Sequence, residues 1–132
     1  MKKSFTYAPN PFRKMPKGTR KLPVSSAVYV VNRDRNGKLI PNKKFLARVK
    51  DVEKMFLSLF EGYTNDQINR GEFINKTNGK IMAERVARIT SFADVKLFKT
   101  NRKKLEAWIK QKKKDWDQEA IAFEFEGDLY YL

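Results

Sequence analysis

The 132-residue sequence contains no cysteine and no histidine. Without cysteine it can form neither a disulfide nor a thiolate metal site, which is typical of reducing compartments, so we expect a cytoplasmic protein. Without histidine the commonest general base and the commonest zinc ligand are both missing. Any catalysis would have to use carboxylates, lysine, tyrosine, hydroxyl groups or a bound cofactor. The sequence also has no glycine-rich phosphate loop and no tight carboxylate cluster, so we expect no metal and no other cofactor. The composition favours a binding protein over an enzyme.

Long apolar segments are also missing. The longest uncharged apolar stretch runs from Val24 to Val31 and is too short to cross a bilayer, so no membrane partner is expected. No apolar segment follows Lys2 and Lys3, as a secretory signal would require. The hydrophobic fraction of 41% and the aromatic fraction of 13% are sufficient for one folded domain.

Acidic residues are scarce in the first part of the chain. Residues 1–50 hold 14 lysines and arginines and one acid, Asp34, which gives a net charge of +13. Residues 51–132 hold 15 basic and 14 acidic side chains, which gives +1 and a total of +14. Such asymmetry indicates an acidic partner, either nucleic acid or an acidic protein surface. A solubilising tail is the alternative interpretation.

The basic excess begins in residues 1–23, which contain seven lysines and arginines, four prolines and no acid. Each proline disfavours helix in the residue before it, so we predict an extended arm ahead of a single domain at 24–132. Aromatic side chains among the cations can stack on bases while the cations meet phosphates, or they can pack back on the domain. The predicted nucleic-acid contacts in the arm are Phe5, Tyr7, Phe12, Arg13, Lys14, Lys17, Arg20 and Lys21.

The rest of the chain alternates strand and helix patterns. The predicted elements are a strand at 25–32, a helix at 42–61, a hairpin at 70–92, a helix at 100–116, a strand at 119–126 and an optional strand at 129–132. We expect Asn42 to cap the first helix and Gly62 to follow its end. This β-α-β-β-α-β order predicts an α+β, ferredoxin-like sandwich, with two helices on one face of an antiparallel sheet.

Two Asn-Gly pairs predict tight turns. The turn at Asn36-Gly37 has a basic tip, which adds Arg33, Arg35 and Lys38 to the predicted nucleic-acid contacts. The turn at Asn78-Gly79 would place Thr77 opposite Lys80. The register that follows sets Ile74 opposite Ala83, Phe73 opposite Glu84, and Glu72 opposite Arg85.

Three segments carry a resemblance: FEGYTND at 60–66, GEFINKTNGKIMAERV at 71–86 and WDQEAIAFEFEGDLYYL at 116–132. Their layout resembles small ferredoxin-like proteins of bacteria and phages, a group similar to the phage S-adenosylmethionine lyases, which are trimeric. The resemblance spans about residues 25–132, excludes the arm, and implies a site at the carboxylates Glu84 and Glu119.

Glu84 is the one candidate catalytic residue. It shares a strand face with the apolar Phe73, Met82 and Val86, where desolvation would suppress its ionisation. The alternative is a structural glutamate paired with Arg88. Gln118-Glu119 also has a structural interpretation, as the end of the second helix and the start of the next strand.

Three functions remain open on the sequence. The leading hypothesis is a non-enzymatic binding protein of a phage or mobile element that grips nucleic acid or a nucleoprotein complex through the arm and the basic turn. The first alternative is an oligomeric small-ligand site that contains Glu84, for a nucleotide or for S-adenosylmethionine. The second is an anti-defence protein that inhibits a host enzyme by occupying its acidic groove.

Overall fold

The computed structural model describes residues 16–19 and 21–132. The elements are β1 (Val24–Val31), α1 (Asn42–Phe60), β2 (Thr64–Ile74), β3 (Ile81–Ala93), α2 (Val95–Asp115), β4 (Ala122–Phe125) and β5 (Asp128–Tyr131). The strands form one sheet in the order β2-β3-β1-β4-β5, and every neighbouring pair is antiparallel. The predicted ferredoxin-like α+β fold is confirmed, with β5 as an additional edge strand. Over these ranges, neither helix combines the length and the apolar character that a bilayer crossing needs.

The apolar stripe of α1 forms the centre of the core. Phe45, Val52 and Phe56 are fully buried, and they pack with the β1 and β3 side chains that point to the same side of the sheet. α2 contributes Leu105 and Ile109 to the same core. The periodicity of α1 and α2 therefore fixes which sheet face they cover, and neither of these two helices covers the opposite face, called here the open face.

Both ends of α1 differ from the prediction. The N-cap position belongs to Pro41, which makes no side-chain cap hydrogen bond, and Asn42 is already helical. The amide oxygen of Asn42 instead accepts a hydrogen bond from Arg85 on β3. At the other end Glu61 adopts the left-handed conformation expected for Gly62, with φ of 68°. The Glu61 N–H still donates to the Leu57 carbonyl at 3.1 Å, as in a helix. The left-handed conformation of Glu61 then changes the direction of the chain and ends the helix.

Two elements begin earlier than predicted. α2 starts at Val95 instead of residue 100, because Asp94 caps it by accepting the Leu97 N–H at 2.7 Å. β2 starts at Thr64 instead of residue 70, and a bulge interrupts its pairing between Asp66 and Ile68. Its first residues are polar and lack the usual strand pattern, which an edge strand tolerates.

The register predicted for the β2–β3 hairpin is wrong by two positions. The structure pairs Ile74 with Ile81, Phe73 with Met82, Glu72 with Ala83, Gly71 with Glu84, and Arg70 with Arg85. The loop is longer than two residues because the Asn75 side chain accepts the Thr77 N–H and the Asn78 side chain accepts the Lys80 N–H. A shift of two keeps every side chain on its predicted face, so Glu84 stays beside its apolar neighbours.

Candidate functional site

A large cleft of the described residues lies at the end of the sheet where β1 leads into the turn at residues 33–38, and its volume is about 1240 Å³. Glu84 on β3 and Glu119 after α2 both line it. The two carboxylates implied by the resemblance, which are far apart in the sequence, are thus brought to one cavity.

Glu84 is a half-buried acid of this cleft. Burial raises the pKa of its carboxyl above the ordinary glutamate value, and the nearby Arg33 charge offsets this in part. Gly71 lies directly across on β2, where an added Cβ would come within 3.1 Å of a Val86 methyl and 3.7 Å of Glu84 Cγ. The missing side chain on β2 therefore leaves room beside the Glu84 carboxylate.

The alternative pairing of Glu84 with Arg88 is wrong. Arg88 lies farther along the same face of β3, where its guanidinium forms ion pairs with Asp66 on β2 and with Glu124 on β4, the latter at 2.7 Å. The Tyr29 hydroxyl donates to the other Glu124 oxygen at 2.8 Å, and Arg88 Nε donates to the Tyr29 oxygen at 3.2 Å. Arg88 is committed to three neighbours because strand pairing brings those groups to it and leaves Glu84 beyond its reach.

Arg88, Asp66, Glu124 and Tyr29 form one cluster, in which the charged groups stabilise one another. The hydrogen bond from Arg88 is the main reason that the pKa of Glu124 lies below its ordinary value. The pKa of the Tyr29 hydroxyl is raised, first by burial and then by its hydrogen bond to Glu124. The cluster crosses β2, β3, β1 and β4 on the open face, so it fixes the strands beside the cleft.

Arg33, predicted to contact nucleic acid, is turned inward. Its Nε and Nη2 donate to the Ala83 carbonyl at 2.9 and 2.7 Å, and its Nη1 donates to the Gly37 carbonyl at 2.6 Å. Since Ala83 immediately precedes Glu84, the guanidinium supports the backbone that carries the candidate carboxylate. Gln118 Nε2 donates to the Arg33 carbonyl at 2.7 Å, which ties the segment after α2 to this turn.

A second arginine lies against the same cleft from inside the core. Arg48 on α1 is 5% exposed and donates to the Trp116 carbonyl at 3.0 Å, with its guanidinium over the Trp116 ring. Burial lowers the pKa of Arg48, and the charges of Asp34 and Asp117 offset this in part. Arg48 holds the end of α2 in place and thereby positions Gln118 and Glu119.

Of the other predicted nucleic-acid residues that the structure describes, Arg35 also lines the cleft, whereas Lys17, Lys21 and Lys38 do not. Arg35 is exposed, with Nε 3.6 Å from Asp117 Oδ1, and Lys38 is exposed at the turn. Lys17 and Lys21 are exposed in the short described part of the arm. Six further candidates lie outside the described residues: Phe5, Tyr7, Phe12, Arg13, Lys14 and Arg20.

Sequence reasoning found Phe73 as a neighbour of Glu84 but missed the other exposed walls of the cleft. Phe73 and Ile74 from the end of β2 and Leu129 and Tyr131 from β5 line it, and all four are exposed. Tyr131 is 73% exposed. The alternation of Leu129 and Tyr131 in β5 could have indicated that both point to the open face. The position of Gly71 opposite Glu84 could not have been found, because it depends on the hairpin register.

Two solved structures share this fold. One is a phage S-adenosylmethionine (SAM) lyase in complex with S-methyl-5'-thioadenosine, 15% identical, with a TM-score of 0.56 over 83% of this chain and 88% of that chain. The other is a phage SAM lyase in the apo state, 16% identical, with a TM-score of 0.56 over 83% of this chain and 87% of that chain.

The chain is distantly similar to the phage SAM lyases. The resemblance predicted from the sequence is thereby confirmed at the level of the fold. No family model and no curated protein matches the chain. At such low identity the likeness concerns the fold alone, so activity has to be argued from the cleft.

Proposed function

We propose that the Glu84 cleft binds a cationic nucleoside of the SAM class and that the protein is a SAM lyase-like phage protein. The observation that carries the proposal is that the Glu84 carboxylate is partly desolvated and faces a large cleft. Among the described side chains, none forms an ion pair or hydrogen bond with it. A carboxylate held in that state gains most from a cation supplied by a ligand.

The sulfonium of SAM is a suitable cation. It has no N–H or O–H, so it cannot be held by hydrogen bonds and depends on a nearby negative charge in a poorly solvated place. The cleft is at least as large as typical ligand pockets of about 300–1,000 Å³. Its walls combine Glu84 with the exposed aromatic side chains of Phe73 and Tyr131, and aromatic rings of this kind stack on a flat base.

The proposed reaction breaks the bond between sulfur and the amino-acid carbon chain. The bonding electron pair goes to sulfur and leaves a neutral thioether, S-methyl-5'-thioadenosine. As this bond breaks, the carbon chain either loses a proton from the neighbouring carbon, whose electron pair forms the new C=C bond, or is attacked by its own carboxylate oxygen at the carbon that was bonded to sulfur. Glu84 would hold the sulfonium, and its raised pKa suits it to accept the proton that elimination releases.

The test is product formation from SAM. The full chain is incubated with SAM, and S-methyl-5'-thioadenosine is measured by chromatography for the wild type, Glu84→Gln and a control, Glu72→Gln. Glu72 is an exposed acid on the other face of β2, 3.1 Å from Arg70. We expect Glu84→Gln to lose roughly 10²-fold or more of the rate, and the control to stay within about twofold. Absence of both turnover and SAM binding in the wild type would refute the proposal.

A second candidate function is nucleic-acid binding. It is supported by the net charge of +13 on residues 1–50 and by the exposure of Lys17, Lys21, Arg35 and Lys38. Arg33 is removed from the proposed contact set, because its guanidinium is occupied by backbone carbonyls. The arm would then supply most of the phosphate contacts, and arm truncation tests this role separately from the Glu84 cleft.

A further inference from the structure

A second cavity lies on the helix side of the sheet, between α2 and the pair β4–β5. Its volume is about 700 Å³. Strands lie about 4.8 Å apart and packed helices about 8–10 Å apart, so two helices cover roughly four strands. This sheet has five strands, and the fifth leaves a groove beside α2. The floor is apolar, with Leu105 and Ile109 from α2, Phe123 and Phe125 from β4, and Tyr130 from β5.

One side of this groove is a row of charged residues on α2. Arg102, Glu106, Lys110 and Lys113 line it at spacings of four, four and three, which places them along one edge of the helix over about 17 Å. Arg102 donates to Glu106 at 2.9 Å. No carboxylate within the described ranges forms an ion pair with Lys110 or Lys113. The row therefore has two uncompensated positive charges beside an apolar floor.

The distribution of these charges indicates which kind of ligand the groove fits. A single-headed amphiphile would match cations gathered at one end of an enclosed tunnel. Here the groove is open along its side and the cations follow its length. An amphipathic helix has the same layout, with apolar side chains on one face and charges that recur along the flank every three or four residues.

We propose that this groove binds an acidic amphipathic helix of a partner protein. Its apolar side chains would pack on Phe123, Phe125 and Tyr130, as in other helix-in-groove complexes. Its carboxylates would face Lys110 and Lys113, which would set its orientation and exclude basic helices. The groove lies on the opposite side of the sheet from the Glu84 cleft, so this binding does not depend on the proposed lyase function.

Two labelled peptides test the inference with the full chain. One is a helical peptide of about 14 residues, or roughly four turns, with leucines on one face and glutamates along the flank. The other has lysines in place of the glutamates. Fluorescence anisotropy should show saturable binding of the acidic peptide and at least about tenfold weaker binding of the basic one. Equal binding of the two peptides, or no binding of the acidic one, would overturn the proposal.

Matched variants locate the site. Lys110→Glu/Lys113→Glu reverses the groove charges, and Lys103→Glu/Lys114→Glu makes the same change in net charge at exposed positions that do not line the groove. We expect the first pair to weaken acidic-peptide binding by roughly tenfold or more and the second by less than about twofold. Equal losses in both would show nonspecific charge attraction and refute the groove.

A second pair of variants tests the apolar floor. Tyr130 lines the groove, whereas its neighbour Tyr131 points to the other face of β5 and lines the Glu84 cleft. Tyr130→Ala should weaken acidic-peptide binding several-fold and Tyr131→Ala should leave it unchanged. A different result would be a wild type that self-associates in sedimentation and does not bind the peptide, with self-association lost in Tyr130→Ala. The occupant would then be a second copy of the chain, and the proposal would be wrong.

Discussion

At the scale of single residues, burial sets the properties of Glu84. Its pKa in the folded state lies above the ordinary glutamate value, so the folded state favours the protonated form. Below the ordinary value, about 4.3, both states are protonated and folding carries no penalty from this group. As the pH rises through the raised pKa, ionised Glu84 costs the folded state free energy.

Glu84→Gln should therefore raise the free energy of unfolding at neutral pH, and the gain should vanish near pH 4. Urea unfolding of the wild type and the variant at both pH values measures this, with Glu72→Gln as the control without a gain. If Glu84→Gln were less stable than the wild type at neutral pH, the ionised carboxylate would have a stabilising partner within the protein. Glu84 would then not be an unpaired charge available to a ligand.

Phe56 is the residue on which the core depends most directly. Its side chain is fully buried in the α1 stripe, with its ring centre 6.1 Å from that of Phe60. Phe56→Ala should lower the free energy of unfolding by roughly 3–5 kcal/mol, the usual cost of emptying a buried aromatic position. Leu57→Ala, at the exposed neighbouring position, should change it far less. A similar midpoint of denaturation for both variants would contradict the packing of α1.

At the scale of secondary-structure elements, the start of α2 depends on one side chain. Asp94 accepts the Leu97 N–H and thereby satisfies one of the free donors of the first turn. Asp94→Ala should cost about 0.5–2 kcal/mol of stability, and Asp94→Ser should retain most of it, because serine can also cap. Thermal unfolding of the two variants checks this, and equal losses would show that capping is not what Asp94 contributes.

The elements that could be predicted are those with a local pattern. The helix at α1 and the strand at β4 each depend on a pattern of neighbours within a few residues, so the sequence predicts them. The start of β2 could not be predicted, because Thr64 and its neighbours are polar and become a strand only by pairing with β3. The hairpin register depended on hydrogen bonds from two asparagine side chains to the backbone of the loop.

The same reasoning explains what could be known of the cleft. Glu84 could be singled out from its apolar neighbours on one strand, because strand alternation is local. Its separation from Arg88 could not be predicted, since it follows from the positions of Asp66 and Glu124 on two other strands. The inward turn of Arg33 is likewise a contact between distant parts of the chain.

At the scale of the whole molecule, the excess charge of the first 50 residues still needs a partner. If the five cations between Arg13 and Lys21 each contact a phosphate of duplex DNA, deletion of residues 1–23 should reduce the log–log salt slope by about 4–5 units, at roughly 0.9 per contact. The truncated chain should fold, because β1 begins at Val24. Unchanged affinity and slope across a salt series would mean that the arm does not bind nucleic acid.

Charge recognition by the Glu84 cleft is tested most directly by comparing two ligands that differ in one methyl group and one charge. SAM carries the sulfonium, and S-adenosylhomocysteine is the neutral thioether. Calorimetric titration of the wild type at neutral pH should show at least about tenfold tighter binding of SAM, or ~1.4 kcal/mol, and Glu84→Gln should remove that preference. Equal affinity of the wild type for both ligands, or an undiminished preference in Glu84→Gln, would contradict the assignment of Glu84 as the group that holds the ligand's positive charge.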